Sequence, residues 1–255
     1  MLKVYHPGSS LNMVSLSPFC LKLVTFLKYH QIPFTEEFGI PNQGPFSKVP
    51  FVEIQGEKMG DSTMIMERLR RECQIPEPEL SDTQKAIGHA FVRMTEEHLY
   101  WIMVHGRWVE EDTWAIIRKV FFGSIPPVIR QYIAYTSRKM AFRNLYSQGV
   151  GRLPKSEVYK RGERDLLAIS HQVNQHGFIA GDTFSDYDIA IWALLQNLLV
   201  AEVPSPLTVM AKRIQPLQDY CHRVNQHLAA AGCGQNPAIV DPAAPGKHQP
   251  STQAA

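Results

Sequence analysis

The spacing of apolar residues changes character at residues 76–80, PEPEL, where two prolines interrupt a helical pattern. Before this break the chain reads as short strand-length runs separated by helices. LKVYH (2–6) has the length of a buried strand, and Phe19, Leu23, Phe26 and Leu27 recur at the i, i+4, i+7, i+8 spacing of a helix. PFTEEFG (33–39) and VPFVEIQG (49–56) read as further strands, EKMG (57–60) as a hairpin partner across the Gly56-Glu57 turn, and STMIMERLRRE returns to helical spacing. After the break every convincing pattern is helical, over roughly 82–109, 112–122, 126–147, 155–176, 186–202 and 206–230. The order β-α-β, linker, β-β-α, then helices only, calls for two layers of different kind: an α/β part over 1–75 and an all-α part over 81–231. The tail 241–255, rich in Pro, Ala and polar residues, reads as disordered.

Composition narrows the function. A chain of 255 residues with 44% hydrophobic and 20% charged side chains is ordinary globular material. Its formal charge of +2 and the lack of a long Lys/Arg run argue against nucleic acid as a partner. The opening MLKVYHPG lacks the apolar core of a signal peptide, and no run approaches the roughly 18 apolar residues of a membrane span, so the expectation is a soluble cytoplasmic protein. Cys20, Cys73, Cys221 and Cys233 include no C-x-x-C pair, which points to reduced thiols without a zinc site. His89, His98 and His105 lie on one expected helix at spacings that do not reproduce an i, i+4 metal pair, so no metal is expected.

FSDYDIAIWALL carries a capping box: Asp188 can reach back to the Ser185 N–H, Ser185 can accept from the third helical N–H, and Phe184 can pack on Ile189. By itself this is a good helix start. In order along the chain, SPFC at the first helix, KVP before the third strand, GDS at the next helix and SDYD in the helical part resemble the glutathione transferases over nearly the whole length to about residue 230. LSPFCLKL together with KVPFVEIQGEKMGDS is similar, more narrowly, to the failed axon connections (Fax) and metaxin branch. The resemblance implies a thioredoxin-like glutathione-binding domain followed by a helical bundle, with homodimerisation expected by analogy.

It also implies roles for particular residues. Val49, ahead of a cis Pro50, would pair its backbone with the cysteinyl part of glutathione like an added strand. Ser62, opening a helix after Gly60-Asp61, would take the γ-glutamyl carboxylate, and Asp61 would face the ammonium, although Asp61 also reads as a plain helix cap. Lys48 would reach the glycyl carboxylate or simply face solvent. Ser17, just before Pro18, is a natural N-cap, and at that place a hydroxyl beside a positive helix end would hold a thiolate. Cys20 falls where the second cysteine of a C-x-x-C would stand and reads as a buried structural residue, dithiol chemistry being excluded with Ser17 in the first position. Tyr100, Trp101 and Trp108 are core aromatics or the lining of an apolar cleft for a second substrate. Residues 40–47, IPNQGPFS, depart from the pattern, being too short and too broken by proline for the helix usual there.

The expected function is a serine-type glutathione transferase-like protein, activating the thiol of bound glutathione for attack on a small apolar electrophile. Two alternatives stand beside it: a non-catalytic adaptor of the Fax/metaxin kind, and a glutathione-dependent thiol reductase using Cys20.

Overall fold

The computed structural model describes residues 1–239; the tail expected to be disordered, 241–255, lies outside the described residues. Contacts divide the described residues into two compact units, one made of Met1–Glu79 with residues 223–239, the other of Leu80–His222.

In the first unit, β1 (Leu2–His6), α1 (Pro18–Tyr29), β2 (Phe34–Phe38), β3 (Phe51–Ile54), β4 (Glu57–Gly60) and α2 (Ser62–Glu72) follow in that order. The sheet runs β2-β1-β3-β4. β1 is parallel to β2, with Val4 opposite Glu36, and antiparallel to β3, with Val4 opposite Val52. Alternation along β1 turns Leu2, Val4 and His6 to the buried face. There Leu2, Val4 and Val52 meet Leu23, Val24, Phe26 and Leu27 of α1 and Ile65 and Leu69 of α2. Each such side chain contributes about 1.5–3 kcal/mol on burial, so α1 and α2 are held to the sheet mainly by this layer rather than by their own propensity. The other face of β1 is polar and aromatic: Lys3 Nζ reaches Glu53 Oε1 at 3.1 Å, and Tyr5 stacks on Phe51 at 4.6 Å.

Between β2 and β3 the chain makes two 3-10 turns, Pro41–Gln43 and Pro45–Ser47, in place of a helix. Gly44 joins them because a Cβ there would stand 2.5 Å from the Phe51 ring and 2.6 Å from Lys48 O. The turns therefore lie tight against the segment that enters β3.

The second unit is helical. α3 (Asp82–Met94) passes through a π turn at Thr95–Leu99 into α4 (Tyr100–Trp108), so the single helix expected over 82–109 is continuous in direction but carries one wide turn. α5 (Glu111–Phe122), α6 (Pro127–Gln148), α7 (Lys155–His176) and α8 (Asp186–Leu199) follow. The helix expected over 206–230 is two, α9 (Pro206–Arg213) and α10 (Gln215–Ala230), broken at Ile214 with ψ 93°; α10 belongs to this unit up to His222 and to the first unit from Arg223. Pro216 is the reason: it lacks an N–H, and inside a continuous helix its ring would collide with the carbonyl of Lys212. That carbonyl accepts from Gln218 Nε2 instead, at 3.0 Å.

The start of α8 organises this unit. Asp188 is fully buried, and its carboxylate accepts from Ser185 N–H at 2.9 Å, Ile179 N–H at 2.9 Å and the Tyr220 hydroxyl at 2.9 Å. One side chain thus joins a helix start, a preceding loop and α10. α3 approaches α8 closely at Gly88, where a Cβ would lie 2.2 Å from the Tyr187 ring.

Candidate functional site

Two helix starts in the first unit carry the polar groups of interest. At α1, Ser17 is the N-cap with extended backbone (φ −95°, ψ 117°), and Pro18 occupies the first helical position. Cys20 N–H donates to Ser17 Oγ at 3.4 Å, and the Ser17 N–H donates to Ser15 Oγ at 3.2 Å. Ser15 is buried, so it fixes the backbone from which the Ser17 hydroxyl projects. Ser17 itself is half-buried and stands at the positive end of the helix dipole.

Cys20, one turn in, is fully buried, and burial pushes its thiol up to about 12 against the opposing pull of the Ser17 and Ser15 hydroxyls. A thiol reductase needs an exposed thiolate. Cys20 offers neither exposure nor acidity.

At α2, Asp61 is the N-cap, in a left-handed backbone conformation at φ 68°. Its Oδ1 accepts from Thr63 N–H at 3.0 Å and Met64 N–H at 3.1 Å. The capping role is thus present in the geometry, alongside any role toward an ammonium. Ser62, the first residue of the helix, is buried. Between the two helices lies a group that pattern reading passes over: Lys22 of α1 is buried and donates from Nζ to Thr63 Oγ1 at 3.2 Å. The signal in the sequence is a lysine four residues after Pro18, on the face otherwise given to apolar side chains. Ser15, two residues before the cap, left no sequence signal of its own.

Val49 and Pro50 are joined by a cis peptide bond. The ladder of β3 begins at Phe51, so Val49 lies just outside it. Lys48, with extended backbone, is exposed. An open groove of about 460 Å³ along the C-terminal end of α2, lined by Glu67, Arg70, Arg71, Gln74, Ile75 and Glu77, contains none of these residues.

In the second unit the three expected cleft aromatics fall into two clusters. Tyr100 and Trp101 meet edge to face at 5.5 Å and are half-buried. Trp108 packs on Trp114 at 5.2 Å and Phe121 at 6.2 Å, so its ring serves the α4–α5 contact. The histidines go separate ways: His98 Nδ1 pairs with Asp165 Oδ2 at 2.6 Å, His105 Nδ1 meets the Tyr159 hydroxyl at 3.3 Å, and His89 is exposed. Among the described residues no group of three or more His, Cys, Asp or Glu side chains is placed to hold a metal ion.

Residues 18–113 match the glutathione S-transferase N-terminal domain family, and residues 162–224 match the glutathione S-transferase C-terminal domain family. The chain belongs to the glutathione S-transferase superfamily.

Its relatives within that superfamily include the isoprene-epoxide glutathione S-transferase of Rhodococcus sp. (strain AD45), 29% identical over 208 residues, a match covering 78% of this chain and 87% of the relative. Failed axon connections of Drosophila melanogaster is 26% identical over 224 residues, covering 81% of this chain and 53% of the relative. Metaxin-1 of Homo sapiens is 23% identical over 236 residues, covering 88% and 51%. This chain therefore spans about half the length of these two relatives, and the similarity supports the Fax and metaxin branch. In fold it is similar to glutathione transferase F7 from Populus trichocarpa, with a TM-score of 0.57 at 13% identity over 91% of this chain and 99% of that one.

For a superfamily whose co-substrate is glutathione, the first unit offers a hydroxyl and a helix dipole at Ser17 for a sulfur anion. It offers a second helix start at Asp61-Ser62, with a buried ammonium beside it, for a carboxylate.

Proposed function

We propose that this chain is a serine-type glutathione transferase. What carries the reading is the link between its two helix starts: the Ser17-capped end of α1 and the Asp61-Ser62 end of α2 are tied through Lys22 Nζ and Thr63 Oγ1 at 3.2 Å. In this reading the γ-glutamyl carboxylate of glutathione takes the Ser62 hydroxyl and N–H at the start of α2, near the Lys22 ammonium. The cysteinyl backbone pairs with Val49 as an added strand, Lys48 approaches the glycyl carboxylate, and Asp61 adds its carboxylate near the ligand ammonium. The sulfur lies at Ser17.

The chemistry follows from that placement. A thiol near 8.5 in water is mostly protonated at neutral pH. A hydroxyl donor and the positive end of a helix favour the anion, so the proton leaves to solvent and the thiolate remains. The thiolate sulfur then attacks an electrophilic carbon. For an epoxide, the class named for the Rhodococcus relative, a C–S bond forms, the ring C–O bond breaks, and the resulting alkoxide takes a proton from water. The hydroxyl of Ser17 neither gains nor loses a bond; it stabilises the sulfur before attack.

A second reading, a non-catalytic adaptor on the same fold, is favoured by the two 3-10 turns at 41–47, which supply no helix from which a further contact to glutathione would come. Calorimetric titration with glutathione, followed by a conjugation assay with a small epoxide, separates the two. Saturable heat and product formation support the transferase; no heat at millimolar ligand leaves the adaptor.

A further inference from the structure

The 44 residues from Thr113 to Ser156 contain eight of the 26 basic side chains and none of the 24 acidic ones, so the rest of the chain carries 18 against 24. The protein is near neutral overall and strongly polarised within. Its basic residues are spread singly or in pairs and form no Lys/Arg run, so what distinguishes the region is the lack of acids.

α6 occupies the middle of that stretch and supplies Arg130, Arg138, Lys139 and Arg143. Arg130 holds Ile125 O and Gly123 O, and Arg138 holds Trp108 O, Val109 O and the Glu111 carboxylate. Lys139 and Arg143 are exposed. Around them lies an apolar face. Val128, Tyr132, Tyr135, Lys139, Phe142 and Tyr146 succeed one another at spacings of four and three, which places them on one side of the helix. Val128 is 91% exposed, Tyr132 71%, Tyr135 65% and Tyr146 62%. Only Ala134 and Leu145 of the helix are buried. A surface helix ordinarily turns its apolar stripe inward; α6 turns most of its aromatic side chains outward, among bases and without a single acid.

We propose that this face of α6 docks on an anionic lipid surface, with the helix lying in the plane of the headgroups. Charge and chemistry together select that occupant. A second copy would bring the same positive face, and like charge set against like charge is unfavourable. A nucleic acid would engage the bases through phosphate but gives no environment to Val128, Ile129 and Met140. A headgroup layer accepts both: phosphates and carboxylates for Lys139 and Arg143, the acyl boundary for the aliphatic side chains, and an intermediate depth that suits tyrosine, apolar in the ring and polar at its tip. No helix among the described residues is long and apolar enough to cross a membrane, so the contact is peripheral.

The test is co-sedimentation of the full chain with vesicles of phosphatidylcholine alone, or mixed with phosphatidylserine, at low and physiological salt. The chain should pellet with the mixed vesicles, stay in solution with phosphatidylcholine alone, and be partly released by salt. Each base near an anionic surface raises partitioning about fivefold, so the double variant Lys139→Gln, Arg143→Gln should bind about thirtyfold more weakly. Tyr132→Ser with Tyr135→Ser should weaken binding at both salt levels. Both pairs of positions are exposed, and unchanged melting temperatures show that the fold survives. Absence of binding to mixed vesicles at low salt overturns the proposal, as does wild-type binding by both variants. So does a wild-type dimer that either pair of substitutions dissociates without any vesicle binding, which would assign the face to a second copy.

Discussion

Lys22 Nζ donates to Thr63 Oγ1 at 3.2 Å with the lysine only 3% exposed, so a buried ammonium of α1 lies against the first turn of α2. Beside the helix N-terminus it adds positive charge where a carboxylate is proposed to sit. Lys22→Met keeps the stem and removes the charge. Glutathione affinity should fall by about 1–3 kcal/mol, the range for losing a hydrogen bond to a charged group, with a smaller change in melting temperature. Titration calorimetry beside thermal melts reads both; unchanged affinity would confine Lys22 to packing.

Ser62→Ala tests the partner hydroxyl at the same helix start, where the side chain is buried at the first helical position. Its removal leaves the backbone N–H in place and should weaken glutathione binding by about 1–3 kcal/mol. Calorimetry at one pH suffices. Full affinity in this variant would mean that the ligand sits elsewhere.

Ser17 and Cys20 make opposite predictions. Ser17→Ala removes one donor to the sulfur anion and should slow conjugation by about 10²–10³, with far less effect on binding. Without the donor the bound thiol titrates nearer its solution value, so the activity midpoint should move to higher pH. Cys20→Ala should do neither, because burial holds that thiol near 12, far from the thiolate form at neutral pH. The measurement is the pH dependence of conjugation for the wild type and both variants. Loss of activity in Cys20→Ala with Ser17→Ala intact would reverse the assignment.

Asp188 is a stability site. Asp188→Ala would strip a partner from the Ser185 N–H, the Ile179 N–H and the Tyr220 hydroxyl, all buried. The cost should be about 3 kcal/mol or more, well above the roughly 1 kcal/mol of an exposed cap, with glutathione affinity unchanged. Burial pushes the carboxyl up to about 6 despite those bonds. The folded state therefore holds a proton at this site over a range, from about 4 to about 6, in which the unfolded chain has lost it. Its contribution is full below that range and declines as pH rises through about 6. The melting temperature of the wild type relative to Asp188→Asn should accordingly fall between pH 4 and pH 7. A difference that does not vary with pH would show that Asp188 titrates at its ordinary value.

The two-part architecture was legible at PEPEL, because strand and helix periods are local properties of the chain. So was the start of α8: the Ser185-to-Asp188 spacing is a local signature and the bond it predicts is present. What the spacing could not reveal is that the same carboxylate also holds Ile179 and Tyr220, one from nine residues before and one from thirty-two residues after. The break at Ile214 was readable in principle from Pro216, yet an apolar period running through it from 206 to 230 hid the stop.

The sequence by itself determined the strands and helices of the first unit and their order, the family resemblance and the two helix starts that bear Ser17, Asp61 and Ser62, because caps and periods depend on neighbours along the chain. Only the tertiary structure decided the states of these groups. Cys20 is turned fully inward by α1, and burial pushes its thiol up to about 12, Trp108 joined Trp114 and Phe121 instead of Tyr100 and Trp101, and Lys22 came to rest against Thr63, 41 residues away. The aromatic face of α6 likewise became a surface only because Ala134 and Leu145 are the side of that helix that packs. Burial and long-range contact set which face of each helix meets the core, and that choice is made by the packing of all elements at once, not by the residues on either side.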